Sequence, residues 1–253
     1  MSPLLTVEGL SGRFGDNQVL YDVSFAVPRG GITAIVGETG SGKSLTSLTV
    51  LGLLPPGLRV EGSVRFEGRE LLGLGEEDYR KLRGSQIAMV FQDARAALNP
   101  VLTVGRQLTD VARLHHGLRR KGAEALVEET LRRVLIPDPR RRMAQYPHQF
   151  SGGMAQRAMI AMALICKPRL LLLDEPTTGL DVTTQADVME LVVDLTRAEG
   201  LTTVLVTHDL GVVGESCDHV VVMRNGRVVE RATTETFFRA PADPYSRLLL
   251  EAS

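Results

Sequence analysis

Hydrophobic and polar positions change rhythm twice along this 253-residue chain. Near the start, "LLTVEGL" and "VSFAV" alternate apolar and polar residues, the two-residue period of a half-buried strand. "GITAIVG" is a short, almost continuous apolar run that reads as a buried strand, and a glycine-rich turn follows it at once. "KSLTSLTVLGLL" has helical length and is stopped by "PPG". "GSVRFEG" and "SQIAMVFQ" read as two more strands. From about Thr103 to Cys166 the spacing becomes helical, as in "AEALVEETLRRVL", with Pro137, Pro139 and Pro147 as breaks. This segment is expected to be a helical lobe inserted into an α/β lobe. From Leu170 onward "RLLLLDEP", "TTQADVMELVVDLTRAEG", "TTVLVTHD" and "HVVVMRNGRVVE" alternate apolar strands with helical stretches, which argues for a mostly parallel sheet. The absence of internal repeats and low-complexity linkers excludes two tandem copies of one module.

Composition changes this picture little. Hydrophobic and charged fractions, 43% and 23%, are ordinary for a globular domain, and the formal net charge is -1. No global basic field draws the molecule to nucleic acid or an anionic membrane. Cys166 and Cys217 form no CxxC pair, so a reducing compartment is the default expectation. "MSPLLTVEGL" lacks the basic and apolar regions of a signal peptide. The uncharged run from Ser44 to Leu58 is too short and too interrupted to span a bilayer. If the chain serves a membrane, it is expected to do so as a soluble partner.

The strongest chemical signal is "GETGSGKS", Gly37 to Ser44. It fits G-x-x-x-x-G-K-[ST], follows a predicted strand and opens a predicted helix, the context that marks a P-loop. Gly37, Glu38, Thr39, Gly40, Ser41 and Gly42 would turn backbone N–H groups around phosphates, helped by the helix N-terminus. Lys43 would reach the β- and γ-phosphates and the Ser44 hydroxyl would ligate Mg²⁺. The bland alternative is a structural glycine turn with an accidental lysine. In "RLLLLDEP", Asp174 and Glu175 end a buried strand, where ligands of open α/β sheets gather. Asp174 would hold Mg²⁺ through water and Glu175 would act as general base; alone, such a pair could simply be solvated acids. His208 in "VLVTHDL" is expected to contact the γ-phosphate or the attacking water, although a lone histidine is more often structural. Gln92 in "MVFQD" could ligate Mg²⁺ or orient water, against the usual reading of a surface glutamine.

With these residues in view, the chain resembles the ATP-binding subunit of an ATP-binding-cassette (ABC) transporter over nearly its whole length. "GETGSGKS" is similar to Walker A, Gln92 to the Q-loop glutamine, "SGGMAQ" to the signature motif, "LLLLDE" to Walker B, "TTGLD" to the D-loop and His208 to the switch histidine. The resemblance implies an α/β P-loop NTPase fold with a mostly parallel sheet, an N-terminal antiparallel β-subdomain and an inserted helical subdomain. Its lobes would be approximately residues 1–92 with 167–253, and 93–166. It implies two cassettes bound head to tail, each ATP lying between one P-loop and the partner's signature motif, so that Ser151, Gly152, Gly153 and Gln156 would contact the partner chain's ATP and Gly179, Leu180 and Asp181 would form the D-loop. The physics of "SGGMAQR" agrees: Ser151 is a good N-cap, the glycines allow close approach, and a helix N-terminus suits a phosphate. A plain capped helix is the alternative. Phe14 occupies the place of the aromatic that stacks on adenine, or else is a core phenylalanine. Gly179 stands where many members have alanine, which would loosen the D-loop.

"DARAALNPVLTVGRQL", "PTTGLDVTTQADVMEL" and "APADPYSRLLL" narrow the resemblance to the peptide and nickel importer branch. Peptide-importing members usually carry a cysteine-rich C-terminal tail that can hold an iron–sulfur cluster. Its absence leans towards the nickel or metallophore type, and no iron–sulfur cluster is expected. The resemblance thus implies an ATPase that uses ATP and Mg²⁺ to drive import of nickel, metal–metallophore complexes or di-/oligopeptides, at the cytoplasmic face of the membrane. The implied partners are a second ATPase chain (a homologous heterodimer, or a homodimer), two permease subunits and, indirectly, an extracytoplasmic substrate-binding protein. Nucleic acid is not among them. The alternatives are a non-transport ATPase acting on nucleic acid or ribosomes, for which "DPRRRMAQYP" is a candidate phosphate patch, and a regulatory nucleotide-binding module.

Overall fold

A computed structural model describes residues 2–252. They fall into two compact units, one running to Arg80 and resuming at Leu195, the other spanning Lys81–Asp194. In the first unit, β1 (Leu5–Phe14) and β2 (Asn17–Val27) form an antiparallel hairpin in which Phe14 pairs with Asn17. β3 (Gly31–Val36) leads through the glycine-rich loop to α1 (Lys43–Val50), then to β4 (Leu58–Phe66), the short β5 (Arg69–Glu70) and α2 (Glu76–Leu82). The order β2-β1-β4-β5 makes a four-stranded antiparallel sheet. Its buried positions, Val7, Leu10, Leu20, Val23, Val27 and Val64, are fully covered. The helix after the loop is shorter than its apolar run suggests. Gly52, at φ 63, donates to the Thr49 carbonyl, and Leu53 donates to that of Leu48. These paired bonds are a Schellman stop, so α1 ends before "PPG" is reached.

The second unit begins with β6 (Ile87–Val90) and the four-residue α3 (Ala94–Ala97). α4 (Val104–His116), α5 (Arg120–Arg133), α6 (Pro139–Met143) and α7 (Gly152–Leu164) follow, then β7 (Leu170–Asp174) and α8 (Val182–Glu199). The prolines do more than interrupt. Pro139 opens α6 and Pro147 opens a 3-10 turn at 147–149, first-turn positions where a missing N–H costs nothing. α7 buries Ala155, Ala158, Ile160 and Ala161 completely, and α4 and α5 bury Leu108, Ala112, Val127 and Leu131. A helix covered on most sides needs small apolar residues, which explains the alanine-rich "MAQRAMIAMALI". β6 and β7 are parallel, with Val90 opposite Leu173.

The chain returns to the first unit with β8 (Thr202–Thr207), α9 (Leu210–Ser216), β9 (His219–Arg224), β10 (Arg227–Thr233), α10 (Thr234–Arg239) and α11 (Pro244–Glu251). Here β3 lies between β8 and β9, parallel to both. β10 departs from the expected parallel alternation. Asn225 and Gly226, at φ 48 and 74, turn the chain back so that β10 pairs antiparallel with β9. Two successive left-handed residues are the signature of a tight hairpin turn, and Asn-Gly is the sequence that favours it.

Candidate functional site

The cradle grows from the sheet edge of the first unit. β3 and β8 run parallel with Val36 opposite Thr207, so Gly37 and His208 emerge side by side at the C-terminal ends of neighbouring strands. Glycine at 37 is dictated by geometry: φ is 148, and a Cβ would lie 2.1 Å from the Met223 carbonyl oxygen. Gly42, at φ 102, is the N-cap of α1, where a Cβ would meet Leu20 at 2.6 Å. Lys43 is 4% exposed, and its ammonium donates to the carbonyls of Gly37 at 2.7 Å and Glu38 at 2.9 Å. A buried ammonium facing a ring of backbone groups at a helix N-terminus is suited to phosphate oxygens. Ser44 sits in the first turn of α1. His208 is exposed, and Asp209 beyond it caps α9 by accepting from the Val212 N–H at 3.1 Å.

In the second unit the register of β6 and β7 carries Gln92 and Glu175 to the same sheet edge. Gln92 Nε2 donates to Glu175 Oε2 at 2.9 Å, and Thr178 Oγ1 donates to the same oxygen at 3.0 Å. The amide thus presents its nitrogen to the carboxylate. Asp174, the last residue of β7, is 9% exposed. Glu175 has φ 45, a left-handed conformation costing a non-glycine residue about 1–2 kcal/mol. The following loop is pinned: Gln185 Nε2 donates to the carbonyls of Thr177 and Leu180 at 3.2 and 3.1 Å. Asp181 caps α8 through the Thr184 N–H and hydroxyl. Gly179 lies at φ 77, where glycine is the relaxed residue, so it suits this turn and does not loosen it.

The N-terminus of α7 faces that loop. Ser151 Oγ accepts from the Met154 N–H at 3.2 Å. Both glycines are required by packing inside the unit: a Cβ on Gly152 would lie 2.9 Å from Leu180, and one on Gly153 would lie 2.5 Å from the Thr184 methyl. A cleft of about 630 Å³ brings together Gln92, Ser151, Gly152, Gly153, Gln156, Gly179, Leu180 and Asp181. Gln156 also lines that cleft; it is 3% exposed, and its Nε2 is buried without a hydrogen-bond partner.

Phe14 is on the surface at the end of β1, 36% exposed, and not in the core. In the arginine-rich stretch, Arg140 is held in an ion pair. Arg140 Nε lies 2.7 Å from Glu128, and in the same cleft Arg106 pairs with Asp110 at 2.7 Å and Arg120 with Glu124 at 2.8 Å. Cys166 and Cys217 are both buried free thiols. Among the described residues, no group of three or more His, Cys, Asp or Glu could hold a metal ion by itself. Sequence reasoning missed Tyr245, whose hydroxyl accepts from the Glu38 N–H at 3.2 Å. It also missed Arg95, whose guanidinium donates to the Phe150 carbonyl at 3.1 Å, next to Ser151. Neither residue stands in a pattern that announces such a contact.

The ABC transporter family model matches residues 20–178. The oligopeptide transport ATP-binding protein OppD of Haemophilus influenzae is 46% identical, over 100% of this chain and 79% of its own length. The probable peptide ABC transporter ATP-binding protein y4tR of Sinorhizobium fredii is 49% identical, over 98% and 76%. The dipeptide transport ATP-binding protein DppD of Escherichia coli is 43% identical, over 98% and 78%. Among solved structures, cbiO1 from Clostridium perfringens, part of the ABC transporter complex cbiONQ, superposes with a TM-score of 0.81 at 28% identity, covering 98% of this chain and 99% of that one. A dimeric post-hydrolysis state of the ATP-binding cassette MJ0796, bound to ADP and Pi, gives 0.79 at 26% identity, over 91% and 98%. The expected ABC nucleotide-binding fold is thereby borne out.

Proposed function

The chain belongs to the ABC transporter family as an ATP-binding ATPase subunit, and from that premise we propose that it energises import of di- or oligopeptides from the cytoplasmic face of the membrane. What carries this reading is the β3–α1 phosphate cradle in a chain 43–49% identical, almost end to end, to peptide transport ATP-binding proteins. The lean towards nickel has no support among these relatives. No helix among the described residues is long and apolar enough to cross a membrane, so the proposed transport path belongs to permease partners.

In this reading Lys43 binds the β- and γ-phosphates and the exposed ring of Phe14 stacks on adenine. When bound, Mg²⁺ would supply charge neutralisation at the transferred phosphoryl group. Ser44 and the water shell held by Asp174 are its proposed protein partners. A hydroxyl and a carboxylate are hard oxygen donors of the kind that would suit such an ion. Glu175 takes the proton of the attacking water. Gln92 and Thr178 fix its carboxylate, and His208 contacts the γ-phosphate. The α7 end, with Ser151, Gly152, Gly153 and Gln156, serves the ATP of a second ATPase chain. Positioning and charge stabilisation, rather than covalent chemistry, supply the rate.

The test is co-purification from native membranes, followed by reconstitution of the permease–ATPase complex with its binding protein in vesicles. ATP-dependent uptake of labelled di- or tripeptides, absent for a Ni²⁺ chelate, is the expected result. Uptake of the nickel complex alone would overturn the peptide assignment.

A further inference from the structure

We propose that Tyr245 is a positioning residue for nucleotide binding, through which α11 sets the conformation of the phosphate cradle. The proposal rests on the ATP-binding reading of that cradle and adds to it a contact made by the C-terminal helix. Glu38 is the second residue of "GETGSGKS", and its N–H donates to the Tyr245 hydroxyl at 3.2 Å. The carbonyl of the same residue accepts from the Lys43 ammonium at 2.9 Å. One residue of the loop is therefore held by tyrosine on its N–H and holds the phosphate-binding lysine on its carbonyl.

Tyr245 is itself firmly placed. It is 4% exposed. Arg224, at the end of β9, stacks on its ring 4.5 Å from the centroid. Asp243 caps the helix start by accepting from the Tyr245 N–H at 2.8 Å, and Pro244 fills the first helical position. Glu230 on β10 accepts from the N–H groups of Ala242 and Asp243 at 2.9 and 3.1 Å, tying the approach to α11 down. Burial pushes the Tyr245 phenol above its ordinary range, so it stays protonated throughout the neutral pH region.

The other limb of the loop is gripped by the neighbouring hairpin turn, where Gly226 donates to the Ser41 carbonyl at 3.0 Å. Tyr245 supplies the hold on the Glu38 side. A binding loop fixed before its ligand arrives loses less freedom on binding, so this contact should appear in nucleotide affinity and not in the chemical step. A hydrogen bond of ordinary net worth corresponds to about a 3- to 10-fold change in an equilibrium constant.

The experiment compares wild type, Tyr245→Phe and Lys43→Ala in the assembled transporter complex, measuring affinity for a fluorescent ATP analogue, KM and kcat for ATP, and thermal midpoint. Tyr245→Phe keeps the ring on Arg224 and removes only the hydroxyl. It should weaken nucleotide affinity and raise KM about 3- to 10-fold, with kcat within about twofold of wild type. A shifted thermal midpoint with unchanged KM and affinity would show a purely structural role and overturn the proposal, as would no change at all. Lys43→Ala separates the two readings. If it weakens binding while Tyr245→Phe does not, only the Tyr245 assignment fails. If Lys43→Ala leaves affinity intact, the cradle reading fails with it.

Discussion

The side-chain amide of Gln92 donates to the Glu175 carboxylate at 2.9 Å, joining the ends of two neighbouring parallel strands. Thr178 donates to the same oxygen, so the carboxylate direction is set from two sides. A positioned base contributes about 10²–10⁴-fold to a proton transfer. Glu175→Gln should lower steady-state ATP turnover on that scale while equilibrium binding of ATP persists. Turnover within a few-fold of wild type would remove Glu175 from the role of base.

The α7 glycines make a second prediction. Rotating Thr184 away from an added methyl group at Gly153 would break the bond from its hydroxyl to Asp181 at 2.7 Å. Relieving the 2.5 Å approach to its methyl, by that rotation or by moving backbone, costs about 1–3 kcal/mol. The gain in helix propensity on replacing glycine, at most about 1 kcal/mol, does not offset this. Gly153→Ala should lower the urea midpoint and the ATPase rate together. Thr184→Ser, which keeps the hydroxyl and deletes the methyl, should restore both in the double variant. Failure of that rescue would show that the glycine is required for another reason.

Local features of this fold are the ones legible in sequence. The cradle declares itself because strand, glycines, lysine and helix are contiguous, and the buried "LLLLD" strand because five covered positions follow one another. The Asn225–Gly226 reversal carried a turn signal inside "HVVVMRNGRVVE", but flanking apolar runs of similar length hide it among parallel strands. The Gly52 stop of α1 depended on two specific carbonyl contacts, whereas "PPG" a few residues on supplied a louder break. Contacts across the chain left no trace. Tyr245 meets Glu38 at a separation of 207 residues, and the reason for Gly152 and Gly153, clearance for Leu180 and Thr184, exists only once α7 and the D-loop are adjacent.

Glu230 links pH to stability. Burial alone would raise its pKa, but the N–H groups of Ala242 and Asp243, with Arg247 nearby, hold it below the ordinary value. A carboxylate whose pKa is lower in the folded state stabilises the fold above its unfolded pKa of about 4.3, and this contribution is lost as pH falls through the folded value. Glu230→Gln should therefore be less stable than wild type at pH 7, with the gap closing as both are acidified below about pH 4. A gap that stays constant down to the acid transition would contradict this account.

The thiols should be silent in the native state. Burial pushes Cys166 up to about 11, and burial with the adjacent Asp218 pushes Cys217 up to about 12. Since the thiolate is the reactive form, a disulfide reagent at pH 8 should label neither cysteine before unfolding and both in denaturant. Rapid labelling of native protein would mean that the local packing opens readily.

On the proposed reading, "SGGMAQR" completes an ATP site on another chain. The most direct measurement is Ser151→Arg in the purified transporter complex, with ATP binding and hydrolysis followed in parallel. Loss of the cap costs α7 about 1 kcal/mol, too little to unfold the chain. Nucleotide affinity at this chain's own cradle should match wild type, while nucleotide-driven closure and hydrolysis are lost. Normal dimer closure and normal hydrolysis in that variant would contradict the account.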